Sequence, residues 1–152
     1  MKTQKNILRS IVILSVMILC SFNKEASQTA LYQKALTKLN NFNLIKDYKV
    51  YLKKKKAKDP IEYVYFPVTL NSGEKYRFYG IDDALLKGRI VITIYNNMKR
   101  EFQVATTYNS STKTRMDAIE FTSHSTGVFC IGLSFLDGED GCGVAISSFK
   151  KE

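Results

Sequence analysis

The sequence predicts an all-β protein, an eight-stranded antiparallel sandwich with one short N-terminal helix after a signal peptide. Three observations carry this. Nine Tyr and nine Phe in 152 residues, with no Trp, suit a pleated, half-buried surface. Short runs alternating with period two recur between turn-forming residues, at the spacing of a sandwich. No segment long enough for a crossover helix separates those runs, so the strands are expected to be antiparallel. The twist of eight strands then favours two packed sheets over one open sheet. With 45% apolar residues and only two prolines and eight glycines, the chain is one domain's worth of foldable sequence.

Residues 1–22 read as a signal peptide. Lys2, Lys5 and Arg9 precede the apolar run from Ile11 to Leu19. That run is short for a membrane span, which needs about 20 apolar residues. Export to the periplasm, the outer membrane or the medium is the expectation. A lipoprotein signal carries a small residue just before its cysteine. Leu19 stands there, so Cys20 is a lipidation candidate and plain secretion the competing reading. Residues 23–45 form a linker with a short amphipathic helix. Leu31, Ala35, Leu36 and Leu39 fall at helical spacing, and Ser27 or Thr29 suits the cap.

The sandwich domain is expected over residues 46–152. Tyr48, Val50 and Leu52 alternate with Lys49, Tyr51 and Lys53, so a strand runs into Lys53-Lys54-Lys55-Lys56. Between Gln28 and Asp59 nine lysines face two aspartates, a net of +7, whereas the chain from Pro60 onward has a net of −1. Lys49, Lys53, Lys54, Lys55 and Lys56 are therefore the candidate binding patch, for an anionic glycan or membrane surface. An exported protein rarely meets nucleic acid, which is not expected as a partner. The competing reading is an edge strand on which lysine discourages edge-to-edge pairing.

Ile61–Leu70 places Val64, Phe66, Val68 and Leu70 on one face, and Pro67 marks an edge or a bulge. After the Asn71-Ser72-Gly73 turn, Tyr76 and Phe78 point inward while Lys75, Arg77 and Tyr79 point out. Ile81–Gly88 is a loop, and Arg89–Tyr95 buries Ile90, Ile92 and Ile94. Asn96-Asn97 turns the chain into Glu101–Thr107, which offers Phe102 and Val104 to the core. Met116–Phe121 follows a polar loop.

The closing stretch is expected to be a hairpin. Phe129, Ile131, Leu133 and Phe135 alternate before a loop rich in Gly and Asp, and Cys142, Val144 and Ile146 alternate after it. Pairing Phe135 with Cys142 sets Leu133 opposite Val144 and Ile131 opposite Ile146, with all of them on one buried face. Cys130 then opposes Ser147 and points away from Cys142. The two thiols would lie too far apart for a disulfide, which needs Cα atoms within about 7 Å.

The order Leu70-Asn-Ser-Gly73-Glu-Lys-Tyr76-Arg-Phe78, Ile90–Tyr95, Ile119-Glu-Phe121 and Thr126-Gly127-Val-Phe129-Cys-Ile131 resembles the bacterial pre-peptidase C-terminal domain, from Ile61 to Phe149. That resemblance implies a jelly-roll-like sandwich that binds or stabilises something. The export signal and lysine-rich lead also resemble small secreted proteins of the Bacteroidetes group.

No catalytic constellation is legible, and no cofactor or metal is expected. His124, the only histidine, lies in the polar stretch Thr122–Thr126, with nothing spaced around it as a triad requires. Asp82-Asp83 and Asp137-Gly138-Glu139-Asp140 are loop carboxylates of the type calcium uses, but without EF-hand spacing, and turn chemistry accounts for them. The function expected is a non-catalytic secreted or envelope-associated binding or accessory module. A structural subunit of an envelope assembly is the alternative.

Overall fold

A computed structural model describes residues 27–54 and 60–150. The expected signal peptide, Cys20, Lys55 and Lys56 lie outside the described residues. Residues 27–36 form helix α1. Ten strands follow: β1 (Asn43–Leu52), β2 (Val64–Leu70), β3 (Lys75–Asp82), β4 (Ile90–Tyr95), β5 (Gln103–Thr106), β6 (Tyr108–Asn109), β7 (Thr114–Arg115), β8 (Ala118–Thr122), β9 (Gly127–Phe135) and β10 (Gly141–Lys150). They make two four-stranded sheets, β1-β10-β3-β8 and β2-β9-β4-β5, and a two-stranded ribbon β6-β7. All pairings are antiparallel. The count of eight omitted the ribbon, because two-residue strands carry no detectable alternation.

Alternation places the core correctly over most of the chain. Tyr48, Val50 and Leu52 of β1, Tyr76 and Phe78 of β3 and Ile119 of β8 face Val68 and Leu70 of β2, Ile90, Ile92 and Ile94 of β4 and Phe129, Ile131, Leu133 and Phe135 of β9. Pro67 does lie on an edge strand, β2, where a missing N–H costs no ladder bond. The buried Tyr48 hydroxyl lies 3.3 Å from Ser147 Oγ, which reaches the Lys46 carbonyl, so this polar pair enters the core with partners.

Two expectations fail. The closing hairpin does not exist: β9 pairs with β2 and β4, whereas β10 pairs with β1 and β3. The chain between them is an arch from one sheet to the other, through a 3-10 turn at Leu136–Gly138 in which Asp137 and Gly138 take positive φ. Cys142, Val144 and Ile146 therefore point away from Phe135. Val144 and Ile146 pack with Ala35 of α1 and Ile81, supported by Leu31, Tyr32, Leu39 and Tyr79, in a second core on the outer face of the β1-β10-β3-β8 sheet.

The inward face of β10 is Gly141, Gly143, Ala145 and Ser147, small because large neighbours already fill that space. A Cβ on Gly141 would come within 2.3 Å of the Phe135 ring. Period two says that a strand has two faces; it does not say which face is covered by a sheet and which by a helix. Cys130 likewise opposes Pro67 and Tyr95 rather than Ser147, and it forms no disulfide with Cys142.

The second failure is in β5. A register shift between Ile94 and Tyr95 makes Ala105 the residue opposite Ile94, so Ala105 packs against the core. Phe102 and Val104 are left exposed.

Candidate functional site

The outer face of the β1-β10-β3-β8 sheet holds most of the chain's candidate chemistry. Three cross-strand rows order it. Tyr79 is flanked by Ile146 and Ala118, Arg77 by Ser148 and Glu120, and Lys75 by Lys150 and Thr122. Helix α1 covers the first of these rows and the one beyond it, Val144 beside Ile81. Leu31 and Ala35 of the helix, with Leu39 just past its end, form the apolar stripe that the sequence spacing had indicated, whereas Leu36, read into the same stripe, does not join this core.

The start of α1 is tied to the residue after β3, and the turn that follows α1 is tied to β3 itself. At the start, the Ser27 hydroxyl donates to the Asp83 carboxylate at 2.7 Å. At the far end, Arg77 Nη1 donates to the Lys38 carbonyl at 3.0 Å, its Nε faces Glu120 at 2.8 Å, and the guanidinium lies 5.2 Å from the centre of the Phe42 ring.

Beside the start of α1 is an apolar cavity of about 310 Å³, lined by Ser27, Tyr51, Asp83, Leu85, Leu86 and Cys142. Beyond its far end is a polar groove of about 390 Å³, between the link Asn40–Phe42 and the ends of β3, β8 and β10.

The lysine run borders this face. β1 is an edge strand, and Lys49 and Lys53 are exposed. Lys49 lies opposite Val144 on the helix-bearing side. Neither Lys49 nor Lys53 has an ion-pair partner among the described residues. Lys54 does: its ammonium sits 2.6 Å from Glu139 in the arch, and this hydrogen bond raises its pKa. The structure thus leaves Lys49 and Lys53 open to solvent and turns Lys54 toward the arch.

The acidic loops are engaged by protein groups. Asp82 accepts the Ile90 amide and faces Arg115 at 3.3 Å. Arg115 also bonds Asp117 and the Ile90 carbonyl, pinning the β6-β7 ribbon to the sandwich. Burial raises the Asp82 pKa, opposed by the Ile90 amide and by Arg115. Asp83 accepts from Ser27 and from the Leu85 amide. Among the described residues no three metal-type side chains come together. His124 is exposed in the turn between β8 and β9, where the Ser123 hydroxyl donates to the Ser125 carbonyl.

The polar groove was missed in the sequence, because its cations come from distant strands. A legible signal was present in Lys75 and Arg77, recognised as outward-facing on one strand. On the outer face of the other sheet, Tyr65 stacks on Tyr63, meets Tyr95 edge-on and lies 4.3 Å under the Arg100 guanidinium. Tyr65 and Tyr95 close over Gly132, and Cys130, between Pro67 and Tyr95 on the neighbouring strands, is fully buried.

No protein-family model matches the chain. No curated protein matches it in sequence either. Among solved structures, its fold is similar to that of Aeromonas hydrophila PliG, a periplasmic lysozyme inhibitor of g-type lysozyme. The TM-score is 0.50 at 6% identity, over 69% of this chain and 85% of that chain. At that identity the likeness speaks for the fold alone.

Proposed function

We propose that this protein is a non-catalytic binding or accessory module of the cell envelope, engaging an anionic surface through the lysines of β1. The observation that carries this reading is the exposed edge strand itself. Lys49 on that strand and Lys53 just past its end have no carboxylate partner among the described residues, and Lys54, Lys55 and Lys56 follow directly in the chain. Charged side chains on an edge, lysine above all, discourage strand addition. A net of +7 concentrated between Gln28 and Asp59 goes beyond that need and suits attraction to acidic glycan or anionic lipid. Two likenesses support a non-catalytic role: the jelly-roll-like strand motifs of an accessory domain, and the fold of an inhibitor described as periplasmic.

The test replaces Lys49, Lys53, Lys54, Lys55 and Lys56 with Gln and measures retention on heparin and on anionic liposomes at low salt. Retention should be lost on at least one matrix, and the parent's retention should fall as salt is raised. The thermal midpoint should hardly move, since exposed charges contribute little to stability. Equal retention of variant and parent on both matrices would reduce the run to edge protection.

A further inference from the structure

We propose that the polar groove beyond the far end of α1 is a binding site for the carboxylate of an acidic sugar. The proposal does not depend on the β1 lysines. Lys75 and Lys150 are direct cross-strand partners on adjacent strands, both on the outer face. Like charges in that relation repel, because their side chains start only about 5 Å apart. Arg77 stands one outward position along β3 from Lys75, so three cations converge on one groove.

A single carboxylate serves them. Glu120 gives one oxygen to Arg77 at 2.8 Å and the other to Lys75 at 3.2 Å. Lys150 has no ion-pair partner among the described residues. The groove's lining therefore carries three positive charges and one negative, a net of +2. A second anion bridging Lys75 and Lys150 would convert their repulsion into two attractions.

The rest of the lining selects what carries that anion. The volume of about 390 Å³ suits a ligand of one sugar ring rather than a bare ion. Asn41 supplies an amide suited to hydroxyl groups, and Phe42 supplies an apolar wall. Arg77 is already committed to Glu120, the Lys38 carbonyl and the Phe42 ring, so it shapes the groove and holds the helix end. Lys75 and Lys150 are left as the residues that meet the ligand.

The experiment is a titration of the full chain by amide nuclear magnetic resonance, using glucuronate, glucose and sodium sulfate at matched ionic strength. Glucuronate should shift the amides of Asn41, Lys75, Arg77 and Lys150 saturably. Glucose should leave them unmoved, and sulfate should act more weakly. The K75Q/K150Q double variant should bind glucuronate at least about tenfold more weakly, the scale of a lost charged hydrogen bond. K49Q/K53Q should bind like the parent, which separates this site from the β1 patch. Because both positions are at the surface, the double variant should keep the parent's thermal midpoint. Four outcomes would overturn the proposal: no saturable shift at the groove, glucose or sulfate equal to glucuronate, parental affinity in K75Q/K150Q, or equal weakening in K49Q/K53Q.

Discussion

At the scale of the residue, Gly141 and Asp82 carry the sharpest expectations. A methyl group on Gly141 would sit 2.3–2.5 Å from three carbons of the Phe135 ring, and that ring is itself fully buried. Gly141→Ala should therefore destabilise by about 1–3 kcal/mol, the usual cost of overpacking. Gly127→Ala, where nothing lies within 4 Å, should change stability by less than about 0.5 kcal/mol. Urea unfolding of the two variants checks this, and equal effects would contradict the packing at the arch. Asp82 gives a pH dependence. Its folded pKa is raised above the ordinary carboxylate value, chiefly by burial. In the window between those two values the folded state holds more protons than the unfolded one, so the contribution of Asp82 to stability falls as pH rises through it. Asp82→Asn does not titrate. The stability of the parent minus that of the variant should accordingly decline with rising pH across the window. A flat difference would mean that Arg115 and the Ile90 amide fully offset the burial.

At the scale of the element, α1 and β10 depend on each other. Ile146 is buried against the helix, not inside the sandwich. Ile146→Ala should cost about 2–5 kcal/mol. Its second signature is local: hydrogen exchange should quicken in α1 while the amides of β9 keep their protection relative to global stability. Loosening of β9 instead would favour the hairpin that the sequence suggested. That error shows what was legible. Inward positions were readable in β1, β2, β3 and β4, since the largest apolar residues of each recur at alternate positions. Leu31 and Ala35 of the helix, with Leu39 just past its end, were readable in the same way, from their helical spacing. The partner of β10 was not, because both of its faces are buried and each accepts a different element. In β5 a one-residue shift reversed Val104 and Ala105, and nothing in the local sequence announces such a shift. The lysine run was plain at once, whereas the groove needed Lys75 and Lys150 to become neighbours across 75 residues of chain.

At the scale of the whole molecule, the chain crosses repeatedly between the two large sheets. Among their eight strands only β4 and β5 are consecutive in the chain and also neighbours in a sheet. Most of the core therefore forms from pairings distant in sequence, and loop-closure entropy must be met before those pairings stabilise anything. Refolding after dilution from urea should take milliseconds to seconds, as for other sandwiches, and stopped-flow fluorescence of the tyrosines can follow it. A microsecond phase recovering the full native signal would be incompatible with this topology. The same order of strands bears on biosynthesis. Tyr48 of β1 is joined to Ser147 of β10, 99 residues later, and among the described residues β1 has no other sheet neighbour. At translation speeds of about 5–20 residues per second, β1 waits on the order of 5–20 s for its partner. For that interval it is a nascent strand with both edges open, rich in tyrosine and aliphatic residues. Its lysines, and those that follow it in the sequence, keep that segment charged, which favours its hydration and opposes pairing with its own copies until β10 is available.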